Sequence, residues 1–176
     1  LAARFGDATL AEASAGLLAY AERRASATLK PFVGAASVVD VLDDARGEGP
    51  PVPLRLTLRR EGAALVFDFR DVPDQVAGPM NAVRAIIESA VFYTLVTLTD
   101  GDVPANSGVM RPVRVLTRPG SVLDARAPAA VAAGNVETSQ RVVDLIFRAF
   151  NALAPGTLPA CSYGTMNNVL IGSVPG

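Results

Sequence analysis

The chain has 176 residues, half of them hydrophobic, which is enough for one domain with a real core. Sixteen basic and seventeen acidic residues leave a formal charge of −1 without a block of like charge, so no nucleic-acid partner is expected. With no histidine, one cysteine (Cys161) and one lysine (Lys30), the chain cannot by itself build a Ser-His-Asp triad, a Cys-His pair, a His or thiolate metal site, an intrachain disulfide or a P-loop.

Residues 9–29 predict an amphipathic helix. Thr9-Leu10-Ala11-Glu12 fits a capping box, Leu10, Leu17, Leu18 and Ala21 share one apolar face, and Pro31 stops the helix. Glu22, Arg23 and Arg24 lie off that face and are most simply solvated. Three strands are expected at 36–42, 53–59 and 63–69. In the second, Leu54, Leu56 and Leu58 alternate with Arg55, Thr57 and Arg59; in the third, Leu65, Phe67 and Phe69 alternate with Val66 and Asp68. Arg60-Glu61-Gly62 joins the last two as a hairpin, and Gly47-Glu48-Gly49-Pro50-Pro51 reads as a loop.

A second helix is expected at 81–98. It is apolar nearly all round, with Arg84 and Glu88 at i,i+4 as its only charges, and such helices are buried between other elements. Asp100-Gly101-Asp102 ends it, and a strand at 111–116 is closed by Pro119-Gly120. Residues 125–133 show no clear period. A third helix at about 137–153 presents Val142, Val143, Ile146, Phe147, Phe150 and Leu153 on a wide apolar face, and a last strand is expected at 166–171. The longest apolar stretch, 89–98, falls well short of the roughly 20 residues of a membrane helix. The fold class that fits is α+β: an antiparallel meander with packed helices and a mixed sheet, in a single domain or fragment divided into a helix (1–31), a β-meander (36–70) and a mixed α/β region (79–176). Leu1-Ala2-Ala3-Arg4 carries no charged region or cleavage site of a targeting segment, and Ser173-Val174-Pro175-Gly176 follows directly on the last expected strand. The chain is accordingly expected to be an internal fragment of a larger subunit.

Carboxylate, hydroxyl, amide and backbone chemistry remain. Amide side chains collect where secondary structure breaks, and the candidate substrate-binding residues are Gln75, Asn81, Asn106, Arg111, Asn135, Glu137, Thr138, Gln140, Asn167 and Asn168. Turns and caps favour the same residue types for backbone reasons. A helix start at Gly134–Gln140 would also offer free amides to an anionic or carbonyl oxygen. The scattered carboxylates show no spacing that marks a general acid and base, so no catalytic residue is assigned. Glu137 reads as a first-turn helix charge, and Cys161 as a buried small hydrophobe.

Several runs occur in order: Gln75-Val76-Ala77-Gly78-Pro79-Met80-Asn81, Arg111-Pro112-Val113-Arg114-Val115, Pro119-Gly120-Ser121, Pro128-Ala129-Ala130-Val131, Gly134-Asn135-Val136-Glu137-Thr138-Ser139-Gln140-Arg141-Val142-Val143-Asp144 and Gly164-Thr165-Met166-Asn167-Asn168. Together they resemble the hydantoinase B/oxoprolinase family, closely over 64–172 and more loosely over 1–63. One departure is Arg70-Asp71, where the family has a Ser/Thr-Gly turn. The resemblance implies the B subunit of a cytoplasmic, ATP-dependent cyclic-amide hydrolase of the N-methylhydantoinase or 5-oxoprolinase kind. Acetone and acetophenone carboxylases have similar subunits, and a non-catalytic contact domain is the other alternative. The implied partner is a hydantoinase A-type subunit that uses the ATP, in a hetero-oligomer acting on a small cyclic amide. No cofactor or metal is expected on this chain itself. The His- and Asp-bearing motifs that would be candidates for a divalent metal site in the full-length subunit lie upstream of the matched region.

Overall fold

The computed structural model describes residues 1–43, 49–99, 101, 103–166 and 171–172. Gly47 and Glu48 of the expected loop, Asp100 and Asp102, and residues 167–170 of the expected last strand lie outside the described residues; Met166 and Ile171, its described ends, are not in a strand.

A single turn, α1 (Ala2–Phe5), precedes α2 (Asp7–Leu29). The capping box at Thr9 does not form: Gly6, at φ 79°, occupies the N-cap position and α2 begins two residues before Thr9. The buried face also differs from the one expected. Ala21, Ala25 and Leu29, at i,i+4 spacing, are the buried residues, whereas Leu17 is 48% exposed. Among the described elements the 3-10 turn Ser107–Met110 packs most closely on the helix, and the approach requires a small residue: a Cβ on Gly108 would run into the carbonyl oxygen of Leu18.

Strands β1 (Ala35–Leu42), β2 (Val52–Glu61), β3 (Ala64–Asp68) and β4 (Val113–Leu116) form one sheet in the order β1-β2-β3-β4. In β2 the side chains of Val52, Leu54, Leu56 and Leu58 are buried while Arg55, Thr57 and Arg59 are less so, as the period of two dictates. Gly62, at φ 58°, closes the β2–β3 hairpin in a backbone conformation that side-chain-bearing residues rarely adopt. The first two pairings are antiparallel and β3–β4 is parallel. A parallel neighbour needs a crossover, and α3 (Arg84–Leu98) lies within it. The α+β architecture with a mixed sheet is therefore as the sequence predicts.

Helix α3 starts three residues later than expected and packs between other elements on one face, leaving the opposite face open. Ile87, Ala90, Val91, Thr94 and Leu95 are buried against α4 and the 3-10 turn, while Arg84, Ala85, Ser89, Tyr93 and Thr97 are exposed. Its hydroxyls satisfy themselves within the helix: Ser89 donates to Ala85 O at 2.8 Å, Thr94 to Ala90 O at 3.0 Å and Thr97 to Tyr93 O at 2.9 Å. Helix α4 (Thr138–Leu153) lies across β1 and β2 and buries Val142, Leu145, Ile146, Ala149 and Phe150. The Phe150 ring meets Phe32 edge-on at 4.7 Å and Phe67 at 5.9 Å, which fixes the helix on the sheet; its N-terminus then stands at the end of β1.

Candidate functional site

The seat of α4 is built from two of the motif runs. Asn81 is fully buried, and its amide joins three stretches of chain. Oδ1 accepts from Val76 N–H at 2.8 Å, and Nδ2 donates to Val76 O at 2.9 Å, Gly78 O at 3.0 Å and Ala130 O at 3.0 Å. The next run packs onto this loop. A Cβ on Gly134 would strike the Asn81 carbonyl oxygen, so glycine permits the close approach. Buried Thr138 donates its hydroxyl to Met80 O, and Ala133 N–H reaches Pro79 O at 2.9 Å. Gln75 Oε1 accepts from Arg126 N–H at 2.9 Å. Gln75, Asn81 and Thr138 thus spend these groups on backbone and position the start of α4.

Across α4 lies a strap, residues 161–165. Asp144, buried in the helix, accepts from Ser162 N–H at 2.9 Å and from Ser162 Oγ at 3.1 Å, and Ser162 Oγ accepts from Gly164 N–H at 3.0 Å. Glu137 stands at the N-cap position of α4 without capping it. Its Oε1 instead accepts from Thr165 Oγ1 at 2.6 Å, which corrects the reading of Glu137 as a simple first-turn charge.

Two clefts flank the strap. One, of about 330 Å³, is polar and is lined by Asp43, Met80, Glu137, Arg141, Gly164 and Thr165 among others. It opens beside the first turn of α4, where backbone N–H groups lack intrahelical acceptors. The second, of about 380 Å³, is lined by Gln140, Tyr93, Phe147 and Ser162 among others; the Tyr93 and Phe147 rings stack at 6.5 Å and 9°.

Of the ten sequence candidates, Glu137 and Gln140 line these clefts and Thr138 lies between them. Asn135 is exposed beside the same turn, its carbonyl taken by Ser139 Oγ at 2.8 Å. Asn106 and Arg111 serve the other side of the molecule. Asn106 Oδ1 caps the 3-10 turn through Gly108 N–H at 2.8 Å, and Arg111 pairs with Glu22 of α2 at 2.9 Å. Asn167 and Asn168 lie outside the described residues. Sequence reasoning passed over Asp43, Met80, Arg141, Asp144 and Thr165. Arg141 and Asp144 stand four and seven residues after Glu137, on one helical face, and that spacing was the available signal.

Cys161 is exposed, contrary to its reading as a buried hydrophobe, because the strap runs over α4 and not beneath it. Partial burial, and next the Asp144 carboxylate, push its thiol pKa up, so it is a poor nucleophile. Where the family turn is replaced, Arg70 folds back on Asp68 with bonds of 2.9 and 2.7 Å, and Arg59 adds a third at 2.9 Å. The Arg70 guanidinium, and after it Arg59, hold the Asp68 carboxyl well below the usual carboxylate range despite partial burial. Among the described residues no three His, Cys, Asp or Glu side chains gather as a metal-ligand set, and no helix is long and apolar enough to cross a membrane.

The family model for hydantoinase B/oxoprolinase matches residues 1–176. The chain is 36% identical over 156 residues to 5-oxoprolinase 1 of Arabidopsis thaliana, covering 89% of this chain and 12% of that protein. It is 37% identical over 131 residues to the 5-oxoprolinase of Saccharomyces cerevisiae (74% and 10%), and 30% identical over 169 residues to an uncharacterized protein of Methanocaldococcus jannaschii (96% and 30%). It therefore spans between about a tenth and a third of the length of these relatives. Its fold is similar to part of the ATP-dependent caprolactamase from Pseudomonas jessenii, with a TM-score of 0.72 at 24% identity over 88% of this chain and 27% of that one. A match along its whole length to the family model shows that this chain belongs to the hydantoinase B/oxoprolinase family.

Proposed function

We propose that the protein this chain belongs to opens the ring of a hydantoin- or 5-oxoproline-like cyclic amide in an ATP-dependent reaction, and that this chain supplies one wall of the substrate site. The observation that carries the reading is the meeting of three motif runs, at Met80, Glu137–Arg141 and Gly164-Thr165, on one polar cleft at the start of α4. Relatives named 5-oxoprolinase, and a structural neighbour named ATP-dependent caprolactamase, support the reaction class.

Hydrolysis breaks the ring C–N bond; water supplies hydroxyl to the acyl carbon and a proton to the nitrogen. The Glu137 carboxylate, already accepting one hydrogen bond, is placed to accept another from a ring N–H or from the attacking water. Nucleotide use falls to a hydantoinase A-type partner subunit or domain, in the cytoplasm where ATP is available. The described residues hold no clustered metal ligands, and no step here runs through a metal ion.

The test is to incubate the full-length protein and its A-type partner with ATP and hydantoin, 5-oxoproline or caprolactam, following the ring-opened acid and ADP. Ring opening coupled to ADP is expected, with none from the 176-residue chain alone. No ring opening of any cyclic amide overturns the proposal, and bicarbonate incorporation into acetone or acetophenone would replace it with the carboxylase reading.

A further inference from the structure

The polar cleft holds opposite charges that do not meet. Arg141, Asp43 and Glu137 line the same space of about 330 Å³, yet among the described residues no ion pair or hydrogen bond engages the Arg141 guanidinium. Several other arginines of this chain do otherwise: Arg59, Arg70, Arg111, Arg118 and Arg148 each pair with a carboxylate. Arg141 is instead laid against the strap. A Cβ on Gly164 would come within 2.5 Å of its Cζ and 2.8 Å of Nη1, so the guanidinium packs on bare backbone. The strap is fixed in turn by Asp144, and one Glu137 oxygen by Thr165. Guanidinium and carboxylates are thus held apart across a space at the lower end of small-molecule pockets, roughly 300–1,000 Å³.

We propose that this cleft binds a small zwitterionic amino acid, its carboxylate on Arg141 and its ammonium toward Asp43 and Glu137. The inference rests on the ring-opening reading. Hydrolysis of a lactam converts one neutral amide into a carboxylate and an amine that is protonated at neutral pH, so the opened product gains both charges at the cleaved bond; a simple lactam carries neither, and 5-oxoproline carries only its ring carboxylate. A guanidinium recognises a carboxylate through paired charge-assisted hydrogen bonds, which a neutral ring carbonyl cannot match. The cleft therefore favours the opened product over a simple lactam, whose opening is product-inhibited, and over 5-oxoproline through the added ammonium.

Calorimetric titration of the full-length protein tests this with three pairs of probes: 6-aminohexanoate and caprolactam, 5-aminopentanoate and valerolactam, glutamate and 5-oxoproline. At least one amino acid is expected to bind about tenfold or more tightly than its lactam. Arg141→Gln lowers the affinity for the amino acids by a larger factor than for caprolactam or valerolactam, whose rings carry no carboxylate, while Arg141→Lys retains part of the advantage. Asp43→Asn weakens 6-aminohexanoate but not hexanoate. Amino acids binding no better than lactams, or equally well to an Arg141→Gln protein of unchanged melting temperature, overturn the inference. If Arg141→Gln does not fold, Arg141→Lys and Asp43→Asn carry the test. The readout needs no turnover: Arg141-dependent amino-acid binding in a protein that opens no ring defeats the ring-opening reading alone, and ring opening with product binding unchanged in Arg141→Gln defeats this inference alone.

Discussion

Replacing Asn81 by aspartate is predicted to cost as much stability as replacing it by alanine. Alanine deletes one acceptor and two N–H donors shared among three carbonyls at 2.9–3.0 Å in a fully buried position, and at roughly 1 kcal/mol net for each of these three groups the loss is about 3 kcal/mol. That is a large share of the roughly 5–15 kcal/mol that holds a domain folded. Aspartate keeps Oδ1 for Val76 N–H but turns an oxygen toward the carbonyls of Val76, Gly78 and Ala130, where the amide had donated. A buried carboxylate facing three carbonyls has its pKa raised, so its protonated form is the one the fold favours. Asn81→Asp should therefore regain part of its stability as the pH falls toward the raised value, while Asn81→Ala shows no such recovery. Urea unfolding followed by circular dichroism at pH 7 and pH 5 measures both variants. An Asn81→Asp protein within about 1 kcal/mol of the parent at pH 7 would refute the structural role, and would return Asn81 to the set of groups free for a ligand.

Asp144→Ala removes both hydrogen bonds that hold Ser162 and leaves the Thr165–Glu137 tie, so residues 161–164 should exchange amide hydrogens faster while the α4 core stays protected; unchanged exchange at Ser162 and Gly164 contradicts the anchoring. Asp68, with its pKa depressed by Arg70 and Arg59, contributes stability that is present above its unfolded value of about 3.9 and is lost as the pH falls from there through the folded value. Asp68→Asn should thus cost about 1 kcal/mol at pH 7, with the gap to the parent closing below about pH 4; a gap constant down to pH 2 argues against the pairing. Cys161, exposed but with its pKa raised, should react with iodoacetamide more slowly than free cysteine at pH 7.5, and a faster rate would show an activated thiol.

The sequence made the sheet readable because Leu54, Leu56 and Leu58 repeat with a period only a half-buried strand satisfies. Helix α4 was readable for a similar reason, its apolar residues filling one wide face. What escaped depended on distant partners. Leu10, Leu17 and Leu18 looked like the buried face of α2, yet the residues it buries are Ala21, Ala25 and Leu29, and Leu17 stays exposed. Asn81 looked like a ligand-binding amide, and its structural use emerges only once Ala130, 49 residues on, is brought beside it. Glu137 and Arg141 share a helical face by spacing alone, but the cleft between them and Thr165 needs the strap, whose path is set by the buried Asp144.

Placing substrate at the start of α4 is tested most directly by Glu137→Gln in the full-length protein with its A-type partner and ATP. The substitution keeps shape and the bond from Thr165 while removing the charge. The cleft assignment predicts that kcat/KM for ring opening falls about a hundredfold or more with the melting temperature unchanged. Wild-type kcat/KM in a Glu137→Gln protein would place the chemistry elsewhere in the subunit.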